Sequence, residues 1–220
     1  MTRHMLTLLA ATALSAHDYV IVPGVRIGPI MPSSTESELR RVFGMAAVKA
    51  EVEIGEGFTE PGLKIYKDDP ARALAVLWNN DTPPHPKTVL ICQDVLDGRC
   101  RWRTADDIGK RTTLSDLERR NGRPFVLTGW GWDYGGGVLS WEGGKLQAAL
   151  RRRGGLMLTL CPRTNKDGEY VPAVTADEVT AVSGDKEISS SFPVMQKLDP
   201  YVCGMSLQFA GEAPGPGPRR

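Results

Sequence analysis

Histidine and cysteine, the usual carriers of proton transfer and nucleophilic attack near neutral pH, are few and scattered in this chain. His4 and His17 lie close to the N-terminus, and His85 lies in the proline-rich stretch 83–86, which is typical of a stiff exposed turn. None of them is placed to activate a nucleophile. A zinc site needs clustered histidine and cysteine ligands, and none cluster here. The sequence therefore predicts a protein that is not an enzyme and has no metal or cofactor.

Carboxylate pairs are the next residues that could do chemistry, as acid and base catalysts. They occur at Asp68-Asp69 and at Asp106-Asp107. Adjacent side chains point apart on a strand, and an Asp before a Pro is typical of a turn, so we predict solvated turns at both places. The segment 165–169 lacks the ligand spacing of a calcium loop, and we predict a hairpin turn there, built on an Asp-Gly pair.

A glycine-rich aromatic segment at 128–137 is the strongest candidate for a binding surface. If it is extended, Trp130, Trp132 and Tyr134 share one face and Asp133 lies on the other, with Trp141 just beyond. Such an aromatic platform suits a protein contact or stacking against sugar rings. The alternative is that these aromatic side chains fill the core, since large apolar groups are usually inside. The sequence leaves both interpretations open.

Four cysteines follow the N-terminal region: Cys92, Cys100, Cys161 and Cys203. An even number in an exported protein favours disulfides, and four cysteines allow three pairings. Because Cys92 and Cys100 are close in sequence, we favour their pairing, which leaves Cys161 with Cys203.

Residues 1–16 are predicted to be a secretory signal peptide. Arg3 precedes an apolar run at 6–14, and small residues follow at Ala13, Ser15 and Ala16. The run is too short to span a bilayer, so no transmembrane segment is predicted. The formal net charge of +1 offers no electrostatic attraction to nucleic acid. We therefore expect an exported protein, periplasmic or extracellular.

Two short helices with the same start and stop signals are predicted in the part of the chain that must position the candidate binding residues. Thr35 and Glu38 have the spacing of a capping box, and Gly44 is suited to end the helix. The same pattern recurs 78 positions later, from Thr113 to Gly122. A single offset over a helix-sized window suggests a duplicated structural unit.

Strand-like segments follow each helix, separated by glycine, proline, asparagine and aspartate clusters. The predicted strands are 48–54, 63–66, 74–78 and 88–92 after the first helix, and 125–128, 138–141, 156–161 and 202–209 after the second. We predict an α+β fold of two tandem units, each a short helix packed on antiparallel sheet, at 17–102 and 103–210. The stretch 165–190 is predicted to be a long hairpin excursion or a loop, and 211–220 a disordered tail.

The repeated helix signature at 32–44 and its echo at 110–122 resemble the helix that opens each repeat of the secreted β-lactamase inhibitor proteins. They also resemble the SmpA/OmlA-type outer-membrane assembly lipoproteins. The segments 22–30, 121–125 and 131–136 look like an uncharacterised family of exported bacterial proteins. The first resemblance implies a β-lactamase-inhibitor-like fold that binds another protein through the concave face of its sheet. The chain lacks a lipidation cysteine and differs from the inhibitors in length, so neither lactamase inhibition nor any binding residue carries over.

These observations predict an exported, non-catalytic binding protein of the bacterial envelope, with an envelope protein as partner. The first alternative is a glycan- or small-molecule-binding module that uses the segment from Trp130 to Tyr134. The second is a secreted hydrolase that uses Asp133. The absence of a catalytic constellation favours the binding protein.

Overall fold

The computed structural model describes residues 18–93, 99–132, 135–150 and 154–209. The predicted signal peptide, the predicted tail, Asp133 and Tyr134 lie outside these ranges. The helices are α1 (Glu36–Phe43), α2 (Leu114–Asn121), α3 (Lys145–Leu150), α4 (Ala176–Val182) and α5 (Pro193–Leu198). The strands are β1 (Val20–Val22), β2 (Arg26–Ile27), β3 (Ala47–Gly55), β4 (Phe58–Ile65), β5 (Leu74–Trp78), β6 (Pro86–Ile91), β7 (Arg103–Thr104), β8 (Val126–Thr128), β9 (Val138–Ser140), β10 (Gly154–Cys161), β11 (Glu187–Ser189) and β12 (Tyr201–Phe209). The predicted α+β class is confirmed.

A six-stranded antiparallel sheet dominates the fold, in the order β10-β12-β6-β5-β4-β3. β12 pairs with β6 through Leu207 opposite Val89, so strands from both ends of the chain form one continuous sheet. The predicted strand 74–78 coincides with β5, and the other predicted strands overlap their counterparts. Alternating and β-branched segments were therefore sufficient to locate these strands.

Two three-stranded sheets complete the fold. The first has the order β2-β1-β7, in which β1 pairs with β7 in parallel, Val20 opposite Arg103. The second has the order β11-β8-β9 and is antiparallel.

The two predicted helices are confirmed as α1 and α2, with nearly the same caps. The Thr35 hydroxyl accepts the Glu38 N–H, and the Glu38 carboxylate accepts the Thr35 N–H, which completes the capping box of α1. Thr113 caps α2 in one direction only, because the third helical residue is an aspartate. Gly122 ends α2 at φ +79°, a left-handed conformation that glycine adopts without strain.

The predicted loop at 165–190 is wrong in part, because it contains α4 and β11. Thr175 and Glu178 form a capping box at the start of α4, with the same Thr-x-x-Glu spacing as in α1. The hairpin turn in the same stretch is confirmed: the Asn165 side-chain oxygen accepts the N–H groups of Asp167 and Glu169. Helices α3 and α5 were also not predicted, since both have only six residues.

The helices cover one face of the six-stranded sheet and form the main core with it. Helix residues Leu39, Leu117 and Leu198 belong to the same buried cluster as Val76, Val89 and Leu207. These strand residues alternate with others that point to the opposite face. On that face a second, small cluster contains only strand residues among those described: Val52, Ala75 and Leu77, with Leu90 packed against them.

Candidate functional site

The described part of the chain contains two disulfides, and their pairing is the one that the sequence favours. Cys92 bonds to Cys100, with 6.0 Å between their Cα atoms, and Cys161 bonds to Cys203, with 5.7 Å. The second bridge joins neighbouring strands β10 and β12. Structural disulfides are typical of proteins that fold in an oxidising compartment. Among the described residues, no helix combines the length and apolar character needed to cross a bilayer.

The glycine-rich aromatic segment turns rather than continuing as a strand, because Gly131 has φ +82°. Trp130 is 6% exposed, and its indole Nε1 donates to the Leu160 carbonyl oxygen at 2.8 Å. Trp132 is partly exposed and donates its Nε1–H to the Gly129 carbonyl oxygen at 2.9 Å. Trp141 is 1% exposed and lies 4.9 Å, between ring centroids, from Phe125. Trp130 and Trp141 therefore lie in the core.

The glycines of this segment serve its packing against β10. The Gly136 carbonyl accepts the Leu160 N–H at 2.8 Å, and a Cβ atom on Gly136 would overlap the Leu160 carbonyl oxygen. Close backbone approach of this kind requires glycine. A binding surface at Trp132, Asp133 and Tyr134 stays a prediction, with Trp132 alone among them described.

The carboxylates predicted to lie in turns do so. Asp107 has φ +57° and donates its N–H to the Thr104 carbonyl, as part of a tight turn. Asp68 is 84% exposed at its side chain and pairs with Lys67 at 2.6 Å. Within the ranges that the structure describes, no three histidine, cysteine, aspartate or glutamate side chains are grouped to hold a metal ion.

Asp69 organises the turn that precedes β5. Its carboxylate accepts the Ala71 N–H at 2.9 Å and the Arg72 Nε–H at 2.6 Å. The hydrogen bond from Arg72 holds the pKa of the Asp69 carboxyl below its ordinary value. The Arg72 guanidinium in turn lies 4.2 Å from the centroid of the Tyr66 ring, and burial raises the pKa of that tyrosine. These contacts hold the turn in one conformation.

The helix-free face of the six-stranded sheet presents a row of side chains across five strands. The paired residues of this row are Lys64, Ala75, Leu90, Ser206 and Met157. Ala75 is buried, and the other four are half-buried. Side chains on this face thus combine apolar area with polar groups.

A hairpin arm folds over this face. We define the hairpin arm as residues 51–61, the far ends of β3 and β4 with their connecting turn. β4 pairs with β3 along its whole length, but with β5 only from Gly62 onward. A Cβ atom at Gly62 would lie 2.6 Å from the Val76 carbonyl oxygen and 2.7 Å from Val52 Cγ2. Glycine at this position therefore permits the bend that carries the arm away from β5.

Two contacts hold the hairpin arm in its folded position. Val52 is 0% exposed and packs on Ala75 and Leu77 of the helix-free face. The Gln93 side chain, just beyond β6, donates its Nε2–H to the Glu53 carbonyl oxygen at 3.1 Å. The tip of the arm is thereby attached to a strand that lies two places away from β4 in the sheet.

A cavity of about 610 Å³ lies beneath the tip of the hairpin arm. Lys64, Ala75 and Leu90 of the sheet row line it, together with Ile54 of the arm and Gln93. The Asp69-organised turn supplies a further wall through Lys67, Asp68 and Pro70. Its volume falls in the range of small-molecule sites, roughly 300–1,000 Å³.

No pattern in the sequence predicted this cavity. The second strand was predicted at 63–66, so Pro61 and Gly62 fell outside it, whereas both residues lie inside β4. A Pro-Gly pair within strand-like sequence is the signal that indicates a bend or a close backbone approach.

The arrangement is that of a mixed α and β protein in which, among the described residues, no helix packs on one face of the main sheet. No protein-family model matches the chain, and neither a curated protein nor a solved structure does.

Proposed function

We propose that this chain is an exported, non-catalytic binding protein that engages a protein partner of the bacterial envelope through the helix-free face of its six-stranded sheet. The observation that carries the proposal is the asymmetry of that sheet. Its helix-covered face is filled by the main core, while the opposite face is covered, in the described part of the chain, only by the hairpin arm.

The chemistry of the exposed groups suggests the kind of partner. Phe58 on the hairpin arm is 65% exposed, and Met157 at the far edge of the sheet row is half-buried. Ser206 and Gln208 lie between them on the same face and supply hydrogen-bonding groups. A partner that presents aliphatic or aromatic anchors within a polar rim would complement this surface.

We further propose that the fold arose from two tandem units. α1 and α2 share a threonine N-cap and a glycine stop, and both pack on sheet. We interpret them as the opening helices of two tandem units related to those of the β-lactamase inhibitor proteins. In that family the sheet face is the part that binds protein, which agrees with the surface proposed here.

Site-directed photo-crosslinking in the envelope tests the proposal. A photoreactive amino acid at Phe58 or Gln208 should yield the same adduct of defined mass, because both positions adjoin the helix-free face. Asp177, exposed at the start of α4, is the matched control and should give no such adduct. The absence of an adduct from Phe58 and Gln208, or an equal one from Asp177, would overturn the proposal.

A further inference from the structure

The cavity beneath the hairpin arm has a lining that is more polar than apolar, and one of its cations, Lys64, has no partner among the described residues. Ala75 and Leu90 line it from the sheet, and Ile54 lines it from the arm. Lys64 lies in the same cross-strand row, directly opposite Ala75, and is half-buried. An apolar strip beside a cationic side chain, within a largely polar lining, suits an amphiphilic molecule.

The two lysines of the cavity differ in how their charge is satisfied. The Lys67 ammonium bonds both carboxylate oxygens of Asp68, at 2.7 and 2.6 Å. Lys64 has no hydrogen bond or ion pair with any residue that the structure describes. A half-buried lysine without a carboxylate partner among the described residues favours an anion brought by a ligand, since charge-assisted hydrogen bonds are about twice as strong as neutral ones.

From this geometry we propose that the cavity binds a small amphiphilic carboxylate, with the carboxylate on the Lys64 ammonium and an aliphatic chain between Ile54 and Leu90. The chain replaces water against the apolar wall, which contributes binding free energy in proportion to the apolar area buried. The turn organised by Asp69 and the Gln93–Glu53 hydrogen bond keep the walls in place before the ligand arrives.

This inference does not rest on the proposed protein partner, because it concerns the cavity and requires only the purified chain. The chain could bind the carboxylate without binding an envelope partner, and it could bind the partner without binding the carboxylate. The two proposals therefore fail separately.

Isothermal titration with decanoate, below its micellar concentration, tests the inference on the full chain. Saturable one-to-one binding is expected, with weaker binding of decanol, which lacks the charge, and none of acetate, which lacks the chain. Affinity should rise from hexanoate to decanoate by up to about fourfold per methylene group. Absence of saturable decanoate binding would overturn the inference.

Substitutions locate the ligand. Lys64→Met keeps the aliphatic stem and should weaken decanoate binding at least about tenfold, the loss expected for one charge-assisted hydrogen bond. Lys67→Met is the matched control and should leave the affinity within about twofold, because the Lys67 side chain is 49% exposed and solvent screens its charge. Ile54→Ser should flatten the dependence on chain length. Equal effects of the two lysine variants, or an unchanged chain-length dependence in Ile54→Ser, would contradict the proposed position of the ligand.

Discussion

Gln93 lies just beyond β6 and Glu53 lies in β3, forty positions away in the chain, yet the Gln93 Nε2–H donates to the Glu53 carbonyl oxygen at 3.1 Å. This hydrogen bond joins the end of β6 to the tip of the hairpin arm. It is possible only because the arm bends across the helix-free face, where Val52 packs on Ala75 and Leu77. The same bend creates the cavity.

Replacing Gln93 with alanine should loosen the hairpin arm and leave the rest of the fold intact. The lost hydrogen bond is exposed, so the free energy of unfolding should fall by no more than about 0.5–1.5 kcal/mol. Hydrogen exchange followed by mass spectrometry should show faster exchange in peptides covering 51–61 and unchanged exchange in α1 and β12. Gln208→Ala, on the same face, is the control and should not change exchange in the arm.

Gly62→Ala should be destabilising because the new methyl group has no room at the bend. Its contacts with the Val76 carbonyl oxygen and Val52 Cγ2, at 2.6 and 2.7 Å, are shorter than van der Waals contact. Overpacking of this kind costs about 1–3 kcal/mol, measurable by urea unfolding.

Gly204→Ala is the control for this change, on the same sheet face. There the nearest atom is Thr159 Cβ at 3.0 Å, which is farther than either close contact at Gly62. A cost for Gly204→Ala equal to that of Gly62→Ala would contradict the bend as the cause.

The two disulfides should contribute unequally to stability. The bridge from Cys161 to Cys203 spans 42 positions, and the bridge from Cys92 to Cys100 spans 8. The longer loop removes more entropy from the unfolded chain. Replacing Cys161 and Cys203 with serine should therefore lower the free energy of unfolding by about 4 kcal/mol, and replacing Cys92 and Cys100 by about 2.6 kcal/mol. Urea unfolding of each variant measures the difference. The opposite order would show that native-state contacts outweigh chain entropy.

The turn organised by Asp69 should weaken in acid. Its carboxyl has a lower pKa in the folded state than in the unfolded chain, because Arg72 donates to the charged form. The stabilisation is therefore complete at neutral pH, above the unfolded pKa, and is lost as the pH falls through the folded pKa.

Asp69→Asn should accordingly lower the free energy of unfolding by about 0.5–1 kcal/mol at pH 7, and this difference from the unsubstituted protein should shrink in acid. Chemical denaturation at pH 7 and pH 3 provides the comparison. Asp68→Asn, at a side chain that is 84% exposed, should change stability less. A deficit in Asp69→Asn that stays constant with pH would exclude the charged hydrogen bond as its source.

Local signals were reliable wherever their cause was local. Thr35 and Glu38 cap α1 through contacts three residues apart, and the turn at Asn165 closes through its own side chain. The same logic would have located α4 from Thr175 and Glu178, but the surrounding polar residues led to the prediction of a loop. Whether the aromatic segment is buried could not be predicted from local signals, because the burial of Trp130 depends on β10 rather than on its neighbours in sequence.

The sequence by itself determined the α+β class, the two capped helices, the strands of the six-stranded sheet and the favoured cysteine pairing. Each follows from periodicity, capping or separation within a short stretch of chain. Only the tertiary structure decided which face of the sheet the helices cover, that Trp130 and Trp141 are buried, and that Lys64 and Gln93 share a cavity with Ile54. These outcomes depend on strand order and on the bend at Gly62, which arise from packing between distant segments.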